Sequence, residues 1–214
     1  MEVEILENLK RAVLEYDSKK AIKWARKAVE EQVDPIKAID ALTEAIRQVG
    51  DGFGRGELWL PDLVGGGEVM SVAMPILEEE LKRRGMKKET LGIVVIGTVL
   101  GDIHTIGKVM VATFLTAEGF DVYDLGVNVS AEAFIEAIEK YNPDILAMSA
   151  LMTTTAPEQT KVINALKEKG IRDKVKVMVG GGGITAEFAE NIGADGYEST
   201  APGGAKLARR LVGK

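Results

Sequence analysis

The sequence predicts two domains of different class, an all-helical domain followed by an α/β domain with a parallel sheet. Over the first 88 residues, apolar side chains recur at the spacing of one helix face. From residue 89 onwards, short apolar runs alternate with helix-like stretches, which is typical of parallel strands joined by helical crossovers. A short polar segment, Gly85–Thr90, separates the two patterns and is interpreted as the linker, so the predicted domains are 1–88 and 89–214.

Four helices are predicted in the first domain, and their short connections favour an antiparallel four-helix bundle. The first helix presents Ile5, Leu9 and Val13 on one face. Asp17 and Ser18 end this helix and can cap the next one. The second and third helices are predicted at 19–32 and 35–49.

A glycine-dense segment, 50–56, is predicted to be a turn between the third and fourth helices. The fourth helix is expected to begin near Pro61 and to end near Gly85. Gly65–Gly67 and Pro75 lie inside it, and we expect them to weaken or kink it.

Strands and helices alternate throughout the second domain. Because strands separated by helices need right-handed crossovers, the expected sheet is parallel. The predicted architecture is therefore a three-layer flavodoxin-like or Rossmann-like domain with a five-stranded parallel sheet. The predicted strands are 91–97, 120–125, 144–149, 175–179 and 194–197, and the predicted helices are 106–118, 131–141, 157–169, 185–192 and 203–212.

Composition excludes several classes of function. The net charge of −6, the absence of a basic block and an aromatic content of only 5% disfavour a nucleic-acid partner. The chain has no cysteine, so disulfides, thiolate metal sites and cysteine nucleophiles are excluded. The acidic N-terminus lacks a signal-peptide pattern, and no apolar run approaches the ~20 residues that span a bilayer. We therefore expect a cytoplasmic protein without a membrane partner.

The single histidine of the chain, His104, lies on the loop between the first predicted strand and its helix. Open α/β sheets bind ligands at that edge, beyond the carboxyl ends of the strands. Asp102 precedes the histidine by two residues, close enough to bond the second ring nitrogen and fix the tautomer, as occurs in ligating histidines. The competing interpretation is a solvent-exposed loop histidine, and the Asp-x-His pattern alone does not decide between the two.

Three predicted loops open on the same edge of the sheet. Glycine in these loops allows close approach of a backbone or a ligand, and the hydroxyl groups offer neutral donors and acceptors. Each loop also has an ordinary explanation as a turn or a helix cap, and their convergence is what favours a binding site. The loop residues concerned are Thr98, Gly101, Asp102, His104 and Gly107, then Ser149, Leu151, Thr153, Thr154 and Thr155, then Gly180 to Gly183.

The same loops exclude four other kinds of site. The chain has no Gly-x-x-x-x-Gly-Lys-Ser/Thr phosphate loop, and the segment 97–107 lacks the Gly-x-Gly-x-x-Gly dinucleotide fingerprint. The third predicted strand ends at Ser149, where a phosphate-accepting receiver domain has an aspartate. No Gly-x-Ser-x-Gly elbow accompanies His104, so a hydrolase triad of that type is excluded.

Three parts of the sequence together resemble the cobalamin-binding signature of methionine-synthase-type and methyltransferase-associated corrinoid proteins. They are Asp102-x-His104-x-x-Gly107, then after 41 residues Ser149-x-Leu151, then after 28 residues Gly180-Gly181. In the first domain, Phe53-x-x-Gly56-Glu57-x-Trp59-Leu60-Pro61-x-Leu63 resembles the cap segment of the same family. The resemblance spans nearly the whole chain, and the length fits a two-domain methyl carrier without a catalytic barrel.

The resemblance implies that His104 is the lower axial ligand of cobalt. It replaces the cofactor's own base, which is the base-off, His-on state. Asp102 is implied to bond the far nitrogen of His104. Thr155 falls where the family usually has the serine that completes this relay, and its extra methyl restricts its rotamers. Thr105 departs from the family, which commonly has aspartate there.

The resemblance also implies roles around the rest of the cofactor. Ser149 contacts the displaced base, Gly180 and Gly181 flank the nucleotide tail, and Phe53 and Leu60 cover the upper corrin face. The complete implied set of cofactor-binding residues is Thr98, Gly101, Asp102, Ile103, His104, Thr105, Ile106, Gly107, Ser149, Leu151, Thr153, Thr155, Gly180, Gly181, Gly182, Phe53, Leu60 and Leu63.

The function implied is that of a methyl-carrier component, not a complete enzyme. Such a protein takes a methyl group on cobalt from a substrate-specific methyltransferase and passes it to a second methyltransferase. The donor is a methylamine, methanol, a betaine or a methoxylated aromatic compound, and the acceptor is tetrahydrofolate or coenzyme M. The sequence does not choose among these, and it does not fix the native lower base or the oligomeric state.

Three alternatives stay open at this point. The first is a corrinoid-dependent sensor or regulator, against which the acidic charge and the lack of an effector segment count. The second is the adenosylcobalamin-binding subunit of a mutase, against which the cap segment counts. The third is a flavodoxin-like domain that binds no cobalt.

Overall fold

The computed structural model describes residues 1–86 and 89–213 of the chain. The chain divides into two compact units, Met1–Glu89 and Thr90–Lys214. Lys87 and Lys88, in the segment interpreted as the linker, lie outside the described residues. The first unit is helical and the second alternates strands with helices, so the predicted fold class is confirmed.

Four helices form the described part of the first unit. They are α1 (Glu2–Leu14), α2 (Ser18–Glu30), α3 (Pro35–Gly54) and α4 (Leu60–Arg83). The side chain of Asp17 caps α2 by accepting from the backbone N–H of Lys20, and Asp34 caps α3 by accepting from that of Ile36. Helix α1 packs against α2 and α3, and α4 packs against the same two helices.

The predicted turn at 50–56 is wrong, because α3 continues as helix through the first five residues of that segment. Gly52 is buried there, and a Cβ on it would lie 2.8 Å from the Cδ1 of Leu58. A Cβ on Gly66, inside α4, would lie 2.7 Å from the Cδ1 of Ile46. These glycines make room for neighbouring side chains, and the packing offsets the roughly 1 kcal/mol that a helical glycine costs.

Helix α4 is, by length and composition alone, long and apolar enough to cross a membrane. The expectation that no stretch approaches that length is therefore wrong for this helix. Core helices of globular proteins pass the same test, so one such helix is weak support for a membrane segment. Here α4 packs against α2 and α3, continues as helix through Pro75 and carries the buried carboxylate Glu80.

The second unit is built on a five-stranded sheet in the order β2-β1-β3-β4-β5, and all four strand pairs are parallel. The predicted sheet is therefore confirmed, and a short 3-10 helix at Arg172–Lys174 is an addition to the prediction. In chain order the elements are β1 (Ile93–Thr98), α5 (Ile106–Glu118), β2 (Asp121–Asp124), α6 (Ala131–Tyr141), β3 (Ile145–Ser149), α7 (Pro157–Glu168), β4 (Lys176–Gly180), α8 (Ala186–Ile192), β5 (Gly196–Tyr197) and α9 (Ala201–Leu211).

Apolar side chains pack on both faces of this sheet. On one face, Val95 and Leu146 join a core with Phe134 of α6. On the other, Val94 and Ile145 join a core with residues of α5 and α9. Because both faces are covered, the strands are almost continuously apolar, and polar groups are left to the strand ends and the loops.

Candidate functional site

The carboxyl edge of the sheet brings the three predicted loops together. The strand order reverses at β1, which lies between β2 and β3, and such a switch point opens a crevice where α/β sheets bind ligands. The register places Thr98 at the end of β1 opposite Ser149 at the end of β3. Ser149 in turn lies opposite Gly180 at the end of β4.

Asp102 connects two of these loops through a fully buried carboxylate. Its Oδ1 accepts a hydrogen bond from the backbone N–H of His104 at 3.0 Å and lies 2.7 Å from the ring Nδ1 of the same residue. Its Oδ2 accepts from the backbone N–H of Leu151 at 2.9 Å and from the hydroxyl of Thr155 at 2.7 Å. The hydrogen bonds expected among His104, Asp102 and Thr155 are therefore present, and their role as a relay to a metal stays a prediction.

These hydrogen bonds keep Asp102 ionised. Burial is the largest single influence on the pKa of this carboxyl, and by itself it raises the pKa. The bonds from His104, Thr155 and Leu151 together outweigh burial and hold the pKa of Asp102 well below its usual range. Because an ionised carboxylate can only accept, the Nδ1 of His104 carries a proton, and in the neutral imidazole Nε2 then presents a lone pair.

His104 can act as a single metal ligand. Its side chain is 45% exposed. Within the described part of the chain, the ring nitrogen that has a hydrogen-bond partner is Nδ1, which contacts Asp102. Among the described residues, no group of three or more His, Cys, Asp or Glu side chains could hold a metal ion. One protein ligand is too few for a free ion such as zinc, but it suits the axial position of a metal already chelated by a macrocycle.

Exposed apolar side chains are concentrated on the segments that follow the strands at this edge. Of the ten large hydrophobic residues that are exposed in the described part of the chain, five lie on the loops of this edge and a sixth is the first residue of α5. Exposed apolar side chains concentrated at one edge are typical of a binding site, and they suit a ligand with a broad apolar face. The six residues are Leu100, Ile103, Ile106, Val127, Leu151 and Met152.

The glycine run after β4 lies directly against the β3–α7 loop. A Cβ on Gly181 would lie 2.2 Å from the carbonyl oxygen of Ala150, and one on Gly183 would lie 2.6 Å from the carbonyl carbon of Met152. The close approach expected of these glycines is therefore observed, with protein backbone as the neighbour. Contact of Gly180, Gly181 and Gly182 with a nucleotide tail stays a prediction.

Other predicted residues of the second unit lie at or beside this edge. Thr98 is fully buried, and its hydroxyl donates to the carbonyl oxygen of His104 at 3.1 Å. Gly101 has a φ of +77°, in the left-handed region that favours glycine. Thr105 precedes the first turn of α5, which contains Gly107, and Thr153 is exposed on the β3–α7 loop.

The predicted cap residues belong to the other unit. Phe53 lies in the last turn of α3 and Leu60 is the first residue of α4, and both are half-buried. Leu63 is fully buried. Their contact with a cofactor stays a prediction.

Sequence reasoning missed the loop after β2. Asn128 on this loop accepts from the backbone N–H of Gly101 at 2.8 Å and donates its own N–H to the carbonyl oxygen of Asp102 at 3.0 Å. Asp124, at the end of β2, pairs with the buried Lys108 of α5. The signal available in the sequence was Lys108, a lysine within a largely apolar helix, because a buried lysine is almost always paired with an acidic group.

Comparisons with known proteins agree with this chemistry. A family model described as a B12 binding domain matches residues 92–204, and a second model of the same description matches residues 5–78. A corrinoid protein of Desulfitobacterium hafniense is 40% identical across the full length of both chains. A trimethylamine corrinoid protein of Methanosarcina mazei is 40% identical over 92% of this chain and 91% of its own.

Solved structures extend the likeness to the fold. The methanol:cobalamin methyltransferase complex of Methanosarcina barkeri matches with a TM-score of 0.82 and 31% identity, over 99% of this chain and 81% of the matched chain. The monomethylamine corrinoid protein of the same organism matches with a TM-score of 0.55 and 33% identity, over 99% of this chain and all of its own. Fold and site thus define a cobalamin-binding protein with an N-terminal helical domain. The chain belongs to the family of methyltransferase-associated corrinoid proteins.

Proposed function

We propose that the protein carries a methyl group on corrinoid cobalt between a substrate-specific methyltransferase and a second methyltransferase. The observation that supports this most directly is His104, whose Nε2 is free to bind a metal while Nδ1 is held by an ionised, buried carboxylate. A bound corrinoid supplies the cobalt centre that accepts and releases the methyl group. The chain itself is then a carrier component of a multi-protein system and not a complete enzyme.

In this proposal His104 would be the lower axial ligand of a bound corrinoid, in the base-off, His-on state. Asp102 orients the ring through Nδ1, and the hydroxyl of Thr155 completes the chain of hydrogen bonds. If His104 were released from the metal, Nε2 would be available to a proton, and the negative charge of Asp102 would stabilise an imidazolium. Ligation is thereby coupled to protonation, which is how outer groups tune a metal site.

The remaining predicted residues hold the rest of the cofactor. Ser149 and the run Gly180–Gly182 take the displaced base and the nucleotide tail. Phe53, Leu60 and Leu63 would cover the upper face, where an apolar lining would exclude water and offer no competing ligand. In this proposal these cap residues would have to move away before a methyltransferase could reach the methyl group.

Methylated amines are the first donor class to test, because relatives named trimethylamine and dimethylamine corrinoid proteins are about 40% identical to this chain. Methanol, betaines and methoxylated aromatics are the other classes, and tetrahydrofolate and coenzyme M are the two acceptors. We place this chemistry in the cytoplasm, in keeping with a chain that contains no cysteine.

The proposal is tested by loading wild-type protein and His104→Ala with hydroxocobalamin, followed by desalting. Wild type should retain an equimolar amount of corrinoid, and its cobalt(II) paramagnetic resonance spectrum should show coupling to an axial imidazole nitrogen. His104→Ala should retain much of the corrinoid but lack that coupling. Asp102→Asn should keep the coupling but shift the cobalt(II)/cobalt(I) midpoint and its pH dependence. An unchanged spectrum in His104→Ala would refute the axial assignment.

A further inference from the structure

The loop between β2 and α6 runs alongside the His104 loop and is bonded to it repeatedly. The backbone N–H of Thr98 donates to the carbonyl oxygen of Gly126, and the N–H of Val129 donates back to the carbonyl oxygen of Thr98, both at 3.0 Å. The N–H of Asn128 donates to the carbonyl oxygen of Asp102, also at 3.0 Å. The pairing of β1 with β2 is therefore continued beyond the strands into the site.

Asn128 adds its side chain to this pairing. Its Oδ1 accepts from the backbone N–H of Gly101 at 2.8 Å, so one residue binds two successive positions of the turn that leads to His104. To do this it adopts a φ of +56°, in the left-handed region that asparagine tolerates better than most residues. Both the asparagine side chain and its left-handed backbone conformation are therefore needed for the contact with the turn before His104.

We propose that Asn128 is a positioning residue for the axial ligand His104. The carboxylate of Asp102 is fixed by Leu151 and Thr155 on one side, and its backbone carbonyl is fixed by Asn128 on the other. Because both the carboxylate and the backbone carbonyl of Asp102 are held, the short segment from Asp102 to His104 keeps Nε2 at a fixed position relative to the edge of the sheet. This inference rests on the proposed function, because it concerns how well His104 reaches the metal.

The loop that carries Asn128 is braced where it begins. The Oδ1 of Asp124 accepts from the backbone N–H of Gly126 at 2.8 Å, and its other oxygen pairs with Lys108. Lys108 is only 2% exposed and lies in the first turn of α5, where the helix dipole disfavours a cation. Asp124 supplies the compensating charge and ties the loop to α5. A substitution at Asn128 therefore tests one contact on a supported loop.

Three variants separate the side-chain contact from the backbone conformation. Asn128→Gly keeps the left-handed backbone and its N–H bond to Asp102 but removes the acceptor for Gly101. Asn128→Asp keeps an acceptor in the same place and is the rescue variant. Asn142→Gly is the matched control, since Asn142 is also left-handed, with a φ of +45°, but ends α6.

Each variant is loaded with hydroxocobalamin and reduced to cobalt(II), and the His-on fraction is measured by paramagnetic resonance across a pH series. Asn128→Gly should shift the equilibrium about three- to tenfold towards His-off, as expected for the loss of one hydrogen bond, with corrinoid content unchanged. Asn128→Asp and Asn142→Gly should behave as wild type. In cofactor-free protein, amide exchange at Gly101 should be faster in Asn128→Gly alone.

Two results would overturn the inference. One is a wild-type His-on fraction in Asn128→Gly while wild type shows axial imidazole. The other is unchanged amide exchange at Gly101 in Asn128→Gly. If wild type itself shows no axial imidazole, the proposed function fails at His104 instead, and the two failures are distinguished.

Discussion

Asp102 has more donors around it than any other single carboxylate of the site, and they come from two loops. One of its oxygens serves His104 and the other serves Leu151 and Thr155. Because the charged carboxylate is buried, the loss of any one donor leaves a lone pair without a hydrogen bond and lowers the stability of the folded state. At the residue scale, the stability of this edge and the tautomer of His104 therefore depend on the same group.

Thr155 tests this dependence. Its hydroxyl is buried and lies 2.7 Å from the Oδ2 of Asp102. Thr155→Val keeps the shape but removes the donor, so we expect it to lower the free energy of unfolding of the second unit by about 1.5–3 kcal/mol, the usual value of a hydrogen bond to a charged group. Thr155→Ser retains the donor and should lose much less. The measurement is urea unfolding of cofactor-free protein, and equal stability of the two variants would contradict the expectation.

At the scale of elements, the last turn of α4 carries a charge cluster of its own. The Oε2 of Glu80 lies 2.6 Å from the Nε of Arg83, and its Oε1 lies 2.6 Å from the Nε of Arg84. Arg84 also reaches the carbonyl oxygen of Gln32, just beyond α2, at 3.4 Å. The cluster therefore ties the end of α4 to the end of α2.

The pH dependence of this cluster has a definite sign. Hydrogen bonds from Arg83 and then Arg84 lower the pKa of Glu80 from 4.5 to about 2. A carboxyl with a depressed folded pKa adds stability that is complete above its unfolded pKa and is lost as the pH falls through its folded pKa. Glu80→Gln should therefore be less stable than wild type at neutral pH, and the difference should shrink as the pH falls from about 4.5 towards about 2.

Thermal unfolding at a series of pH values measures this difference. Glu79→Gln, at an exposed neighbouring position, is the matched control and should unfold like wild type. A gap between Glu80→Gln and wild type that stays constant across the acid range would contradict the expectation.

At the scale of the whole molecule, the chain separates a helical unit from the unit that contains His104. The proposed function gives the helical unit a task, because Phe53 and Leu60 would shield the methyl group. Phe53→Ala combined with Leu60→Ala should leave corrinoid binding nearly intact and make light-driven loss of the methyl group several-fold faster. Smaller side chains would leave more room for the released group to escape.

The rate of photolysis of methyl-loaded protein under constant light measures this effect. Leu14→Ala removes an apolar side chain that is 43% exposed in the same unit and serves as the control. If the double variant is folded, binds corrinoid and is photolysed at the wild-type rate, the cap assignment is wrong.

The elements of this chain were predictable because helices and strands leave local periods in the sequence. The C-terminal end of α3 was not, since whether Gly52 breaks or continues a helix depends on Leu58 packing against it. The same holds for the contact of Asn128 with Gly101, which lies 27 positions away in the chain. Local rules contain no information about such partners.

The sequence by itself determined the class of fold and the edge of the sheet where the candidate site lies, and it singled out His104 as the candidate metal ligand. Periodicity identifies the parallel sheet, strands of a parallel sheet end at a common edge, and His104 with Asp102 follows the first of them. Only the tertiary structure decided which donors surround Asp102, how the glycine run meets Ala150, and that Asn128 and Lys108 take part. The physical reason is that periodicity is a property of neighbouring residues, whereas the satisfaction of a buried charge depends on atoms that folding brings together from distant parts of the chain.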